Sequence, residues 1–272
     1  IARMYAEKRF TMMGLMDFMF SLGTFAASFF VTLLYIVEEN WRLPIQATAA
    51  VMVLLSCYAF IAARSQAKVL KGQPKTARKT LAFGTLIRQP IFIFMALVSF
   101  GYGAVEFGNA NWFVSYAQNG IGFTGEQSRN LLACFTAGMV ISRLTFPLLL
   151  RFFSVHRLIV MMASASLVGV FTLKLMPSLY GIGAGNLLLG LGLGGLFPLM
   201  LSAAMNIDSD NGPVLSGIAI IGNSTGVQVS SFSTGLIANF VPLTTAFWVI
   251  PAGGVVLWMA SYGYSRKLKH YV

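Results

Sequence analysis

Charged side chains are what this sequence has least of. Only 10% of its 272 residues are Asp, Glu, Lys or Arg, against 57% that are hydrophobic. Soluble domains carry roughly 25% charged residues. A soluble fold of this size has too little interior for so much apolar surface, so lipid must be the solvent for much of the chain. Cysteine and histidine are scarcer still, with two of each. Cys57 and Cys134 both lie inside apolar runs, and there is no C-x-x-C or His/Cys cluster. No metal, disulfide framework or other cofactor is therefore expected. Period-2 alternation is missing as well, which excludes a transmembrane β-barrel. The segment from Ile1 to Phe10 is polar and charged, and the run after it is too long for a signal h-region, so no signal peptide is expected. The chain opens on Ile1 rather than Met, which implies that further sequence precedes it.

What the chain does have is a series of long apolar runs. They cover residues 10–37, 45–63, 90–118, 129–150, 158–176, 179–205, 214–240 and 243–264. A membrane helix needs about 20 mostly apolar residues, and helices satisfy their own backbone in lipid. The expected fold is therefore an all-α membrane protein of about eight transmembrane helices. Runs of more than 25 residues predict helices that are tilted, kinked or extended past the lipid. Polar punctuation separates the runs: a turn at Glu38–Pro44 with Trp41 suited to an interface, a long basic segment from Arg64 to Gln89, a Gly-rich loop at 119–128, and Pro177 and Pro242 at tight turns.

The formal net charge is +11, which in a soluble protein would suggest nucleic acid. Here the basic residues fall in short loops between apolar runs, so nucleic acid is not an expected partner. Of the 19 basic residues, Arg42, Arg129 and Lys174 lie on one side of the expected membrane and all the others on the opposite side. The positive-inside rule places that basic side, with both ends of this chain and the segment 64–89, in the cytoplasm. Lys174 is expected to snorkel at the outer end of its run.

Acidic groups inside lipid are expensive, at roughly 2.5–3.5 kcal/mol each at a helix centre. Two stand well within apolar runs, Asp17 and Glu106. Helical spacing puts Tyr102, Glu106, Asn109 and Phe113 on one face, with Trp112 and Tyr116 on an adjoining stripe. A carboxylate, amides and aromatic rings together suit a polar solute with an apolar face. Burial disfavours a carboxylate's charged form, which makes Glu106 and Asp17 candidates for proton coupling. The alternative is a structural acid bonded to a neighbouring helix. Asn223, Ser224, Gln228 and Ser231 lie in the seventh run, where they either line an aqueous cavity or bond across helices. Gly190-Leu-Gly-Leu-Gly-Gly195 matches a dinucleotide pattern, but no strand precedes it, so close helix packing is the better reading. Gly222-Asn-Ser-Thr-Gly226 matches a hydrolase pattern, but His156 and His270 are both outside the membrane runs and no base is at hand.

Three stretches carry a family resemblance. Ser142-Arg143-Leu144 through Arg151-Phe152 to His156-Arg157 resembles the cytoplasmic gate motif of the major facilitator superfamily in its second-half form, with Ser142 where the motif usually has glycine. Gly190 to Pro198 resembles that family's tenth helix. Tyr102-Gly-Ala-Val-Glu-Phe-Gly-Asn-Ala-Asn-Trp112 resembles the seventh helix of its fucose-permease-like branch, although Glu106 stands where sugar permeases often carry an amide.

The resemblance implies a major-facilitator-type bundle holding eight of twelve helices. Residues 1–63 would be the last two helices of the N-terminal half, 64–89 a basic linker, and 90–272 a complete six-helix C-terminal half. It implies secondary active transport of a small solute, a sugar or other small polar compound, by alternating access. The expected solute contacts are Tyr102, Glu106, Asn109, Trp112, Asn223 and Gln228. Arg143, Arg151 and Arg157 would form the cytoplasmic gate, and Glu106 and Asp17 would couple protons. Membrane lipid is the other expected partner, with the complete protein working as a monomer in the cytoplasmic membrane. Efflux of amphipathic compounds is the nearest alternative, and a non-transporting scaffold or intramembrane enzyme the more distant one.

Overall fold

The computed structural model describes residues 9–37, 42–70 and 83–271, which form helices and no strand. In chain order these are α1 (Arg9–Val37), α2 (Arg42–Leu70), α3 (Phe83–Ile87), α4 (Pro90–Ser115) with a π-helical turn at Tyr116–Ile121, α5 (Gly125–Leu149), α6 (Val155–Leu175), α7 (Leu179–Gly194), α8 (Leu196–Ile207), α9 (Gly212–Ala238), α10 (Leu243–Ala246) and α11 (Val249–Leu268). The core of the expected Glu38–Pro44 turn, including Trp41, lies outside the described residues. So do Arg3, Lys8, Lys71, Lys75, Arg78 and Lys79.

Among the described residues, six stretches are long and apolar enough to cross a bilayer: Arg42–Arg64, Pro90–Ile121, Gly125–Leu149, Val155–Leu175, Leu179–Ile207 and Leu243–Leu268. The α1 helix, at 29 residues, and α9, at 27, match them in length. The α9 helix is less apolar because Asn223, Ser224, Thr225, Gln228, Ser230 and Ser231 interrupt it. The second helix runs to Leu70 rather than stopping near Ala63. The added stretch contains Arg64, Gln66, Ala67, Lys68 and Leu70, all good helix formers that prolong a rod once it leaves the apolar zone.

The chain forms two compact units, residues 22–79 and residues 1–21 with 80–272. In the smaller unit the stretch Val51–Ile61 of α2 is exposed on every side. A rod apolar all round needs lipid or other helices about it. In the larger unit α7 packs between α5 and α6, while α4 packs between α9 and α11, and α11 reaches α6. Polar bonds fasten these contacts. The Trp258 indole donates to Ser164 Oγ at 2.9 Å, Tyr264 Oη to the Met200 carbonyl at 3.1 Å, and Ser265 Oγ to the His156 carbonyl at 2.7 Å.

Local chemistry sets the helix ends. Pro90 opens α4, where its missing N–H costs nothing. Thr124 and Gln127 form a capping box that starts α5, so that helix begins four residues before the expected position. The sixth apolar run is not one helix. It breaks at Gly195 into α7 and α8, because Pro198 has no N–H to offer the Gly194 carbonyl four residues back.

Glycine lets α5 and α7 approach backbone to backbone. A Cβ on Gly190 would collide with the Phe135 carbonyl, and one on Gly138 with the Leu187 carbonyl. Packing of this kind is how small-xxx-small stripes hold helices together in lipid. Lys174, expected to snorkel, is partly buried near the end of α6. Its Nζ donates to the Thr244 carbonyl at 2.7 Å and lies 5.1 Å from the Tyr116 ring and 5.3 Å from the Trp248 ring. It thereby ties α6 to the α4 end and to the α10–α11 corner.

Gly190→Ala is expected to lower the thermal unfolding midpoint in detergent by several degrees, since overpacking costs roughly 1–3 kcal/mol. Gly217→Ala, where an added Cβ meets nothing within 4 Å, is expected to raise it slightly through helix propensity. Lys174→Met removes a charged hydrogen bond and two ring contacts, with an expected loss of about 2 kcal/mol in the same melting assay.

Candidate functional site

Arg143 is the organising side chain. Helix side chains lean toward the N-terminal end of their helix, so Arg143, six residues from the end of α5, carries its guanidinium back toward mid-helix. There it is buried, with 4% of its surface exposed. Nε donates to the Gly194 carbonyl at 3.2 Å, the group that Pro198 leaves without a helical donor. The Asp17 carboxylate lies equally close, with Oδ2 at 3.2 Å from the same Nε. Nη1 donates to the Asp17 backbone carbonyl at 3.3 Å. Nη2 is 3.7 Å from Glu106 Oε1. The Tyr102 hydroxyl, one turn before Glu106 on α4, lies beside both the carboxylate and the guanidinium.

Three rods, α1, α4 and α5, thus bring Asp17, Tyr102, Glu106 and Arg143 together, Asp17 partly exposed and the other three buried, with two carboxylates against the Arg143 guanidinium. Buried charges of this kind are tolerated only when paired and hydrogen-bonded. Ser142, next to Arg143, accepts from the Gly195 N–H at 3.1 Å. The residue that departs from the gate motif's glycine therefore has a bond of its own at the α7–α8 break.

One turn beyond Glu106, Asn109 Nδ2 donates to Asn186 Oδ1 at 3.1 Å, and both residues are wholly buried. The other atom of each amide, Asn109 Oδ1 and Asn186 Nδ2, has no hydrogen-bond partner among the described residues. The pair therefore keeps one acceptor and one donor in reserve. On the next stripe, Trp112 Nε1 donates to the Ser231 carbonyl at 3.1 Å, and Asn111 Nδ2 donates to Ser231 Oγ at 3.0 Å.

The remaining expected residues sit elsewhere. Asn223 is half-buried and lies against Gly103 at the α4–α9 contact. Gln228 is exposed. Arg151 and Arg157 are exposed and make no ion pair among the described residues, in contrast to Arg143. The structure thus joins Arg143, one of the three arginines expected at the gate, to the two acids expected to couple protons. Sequence reasoning missed the Asn109–Asn186 pair and the Gly194–Gly195 break. Pro198, placed four residues after a glycine, was the available signal for the second.

The crystal structure of a Major Facilitator Superfamily transporter, FucP, in an outward conformation, superposes with a TM-score of 0.71 at 14% sequence identity, over 96% of this chain and 68% of that one. That likeness shows a common fold. No match was found among curated protein sequences. The family model of the Major Facilitator Superfamily matches residues 1–227. With that match over most of its length, and with its rods and buried charges arranged as described, this chain belongs to the Major Facilitator Superfamily, a family of multi-pass membrane transporters.

Proposed function

We propose that the chain is part of a proton-coupled secondary transporter of the cytoplasmic membrane that moves a small polar solute, a sugar among the candidates, by alternating access. Residues 90–272 are the complete second half-bundle, the first two helices are the end of the first half, and the basic segment between them is the cytoplasmic linker, beginning after Leu70. The match to FucP, a named transporter caught facing outward, supports the rocking of two halves about a central site.

The observation that carries the reading is the cluster of Asp17, Glu106, Arg143 and Tyr102. A scaffold gains nothing from such groups, because replacing a buried ion pair by apolar side chains is often neutral or stabilising, and ionisable groups at membrane depth mark solute and proton paths. Two carboxylates share the Arg143 guanidinium. A proton that joins one of them in one state and leaves it in the other lets Arg143 rearrange. Asn109 and Asn186, with a donor and an acceptor in reserve, suit the hydroxyl of a solute, which both donates and accepts.

Uptake of candidate solutes by the full protein in proteoliposomes, with imposed proton gradients, tests the coupling. Glu106→Gln and Asp17→Asn are expected to cut gradient-driven accumulation by about tenfold or more, a loss of at least ~1.4 kcal/mol in driving, while exchange down a solute gradient survives. Accumulation at the parent level in both variants would sink the coupling. Resistance to toxic amphipathic compounds without solute-dependent proton movement would favour efflux instead.

The amide pair gives a separate prediction. Asn109→Leu or Asn186→Leu alone strands a buried amide and is expected to cost about 1–3 kcal/mol of stability. The double variant is expected to recover most of that stability in a melting assay yet to remain inactive in uptake. Uptake restored along with stability would make the pair purely structural.

A further inference from the structure

We infer that Ser142 and Arg143 together form a latch on the α7–α8 break, and that Asp17 sets how tightly the latch closes. Ser142 and Arg143 are its positioning residues. This goes beyond the transport reading and depends on neither the solute nor the coupling ion.

The break leaves two backbone groups to satisfy in a setting where water is scarce. Pro198 deprives the Gly194 carbonyl of its helical donor, and Arg143 Nε supplies one at 3.2 Å. The neighbouring Gly195 N–H is taken by Ser142 Oγ at 3.1 Å. Two consecutive residues of α5 thus hold the carbonyl and the N–H of the one peptide unit, Gly194–Gly195, at which α7 turns into α8. The approach is close enough for this because Gly194 itself has no side chain: a Cβ there would strike the Met139 carbonyl and crowd Ser142 Cβ.

Arg143 Nε carries a single hydrogen. It points at the Gly194 carbonyl, yet Asp17 Oδ2 lies at the same 3.2 Å. An ionised carboxylate is the stronger acceptor, so a charged Asp17 competes with the Gly194 carbonyl for that hydrogen. A neutral group at position 17 leaves it to the carbonyl. Glu106 and Tyr102, from α4, hold the far side of the same guanidinium and limit how far it swings. The charge on α1 therefore reads out as the stiffness of a hinge in another helix. Kinks at proline are common; what is particular here is that the orphaned carbonyl is capped by a side chain with a competing partner.

The test is a distance. The full protein in lipid nanodiscs, with Cys57→Ala and Cys134→Ala, would carry spin labels at Phe152→Cys beyond α5 and Ser209→Cys beyond α8, both exposed positions. The α8 helix has 12 residues, making a lever of about 18 Å. A change of about 20° in the kink therefore moves its end by about 6 Å.

Arg143→Lys, which lacks Nε, is expected to shift or broaden the distance distribution by about that amount. Asp17→Asn is expected to narrow it at the parent position. On a Pro198→Ala background, where residue 198 regains an N–H for Gly194, Arg143→Lys is expected to have no effect on the distance. A folded Arg143→Lys variant with the parent distribution, an Asp17→Asn shift like that of Arg143→Lys, or a shift that persists with Pro198→Ala would each overturn the latch. Should Arg143→Lys not fold, Ser142→Ala reads the same hinge through its other grip. A partial shift in the same direction supports the latch, and a parent distribution overturns it. Because the readout is a distance, it can fail while proton coupling stands, and coupling can fail while the latch stands.

Discussion

A guanidinium that cannot lose its charge sits where a charge is least welcome. Arginine stays protonated under all ordinary conditions, and taking it out of water costs several kcal/mol unless its donors are matched. Every group around Arg143 answers that demand: the carboxylates of Asp17 and Glu106, the backbone carbonyls of residues 17 and 194, and the Tyr102 hydroxyl beside them. Satisfying one side chain thus draws α1, α4, α5 and the α7–α8 break together. A neutral residue at position 143 would leave those elements without a common partner.

The glycines make that convergence possible. Arg143 reaches the Gly194 carbonyl because α5 and α7 meet backbone to backbone along Gly138, Gly190 and Gly194. The same closeness puts Ser142 on the Gly195 N–H. The stripe that resembles a dinucleotide loop on paper is a packing surface, and its last two glycines mark the place where the rod bends. A proline four residues further on turns the bend into a chemical feature, a carbonyl in search of a donor.

A second cation follows the same logic at the other end of the bundle. Lys174 lies near the terminus of α6, where it bonds the Thr244 carbonyl and lies against the faces of Tyr116 and Trp248. The π-helical turn that carries Tyr116 and the α10–α11 corner that carries Trp248 are thereby held to α6. Tyr116 in turn stacks on Phe247 with ring centroids 4.0 Å apart. Charge, kept scarce throughout the chain, is used here to fasten irregular backbone.

Much of this was written in one dimension. Apolar run length is a local property with a bilayer's thickness as its ruler, so the long helices and their order were legible from the apolar runs. Glu106 and Asp17 stood out for the same reason, as isolated charges in apolar runs. Tyr102 and Asn109 followed from helical periodicity. What periodicity cannot supply is the partner on another helix. Arg143 read as one gate residue among three, but only the fold brings it to the acids at positions 17 and 106 and leaves Arg151 and Arg157 at the surface. Asn186 gained meaning only opposite Asn109, and Ser142 only opposite Gly195. The sequence by itself determined which residues are too costly to bury alone. The tertiary structure decided which of them are buried together, because pairing depends on helix contacts between residues 50 to 130 positions apart in the chain, a distance no local pattern spans.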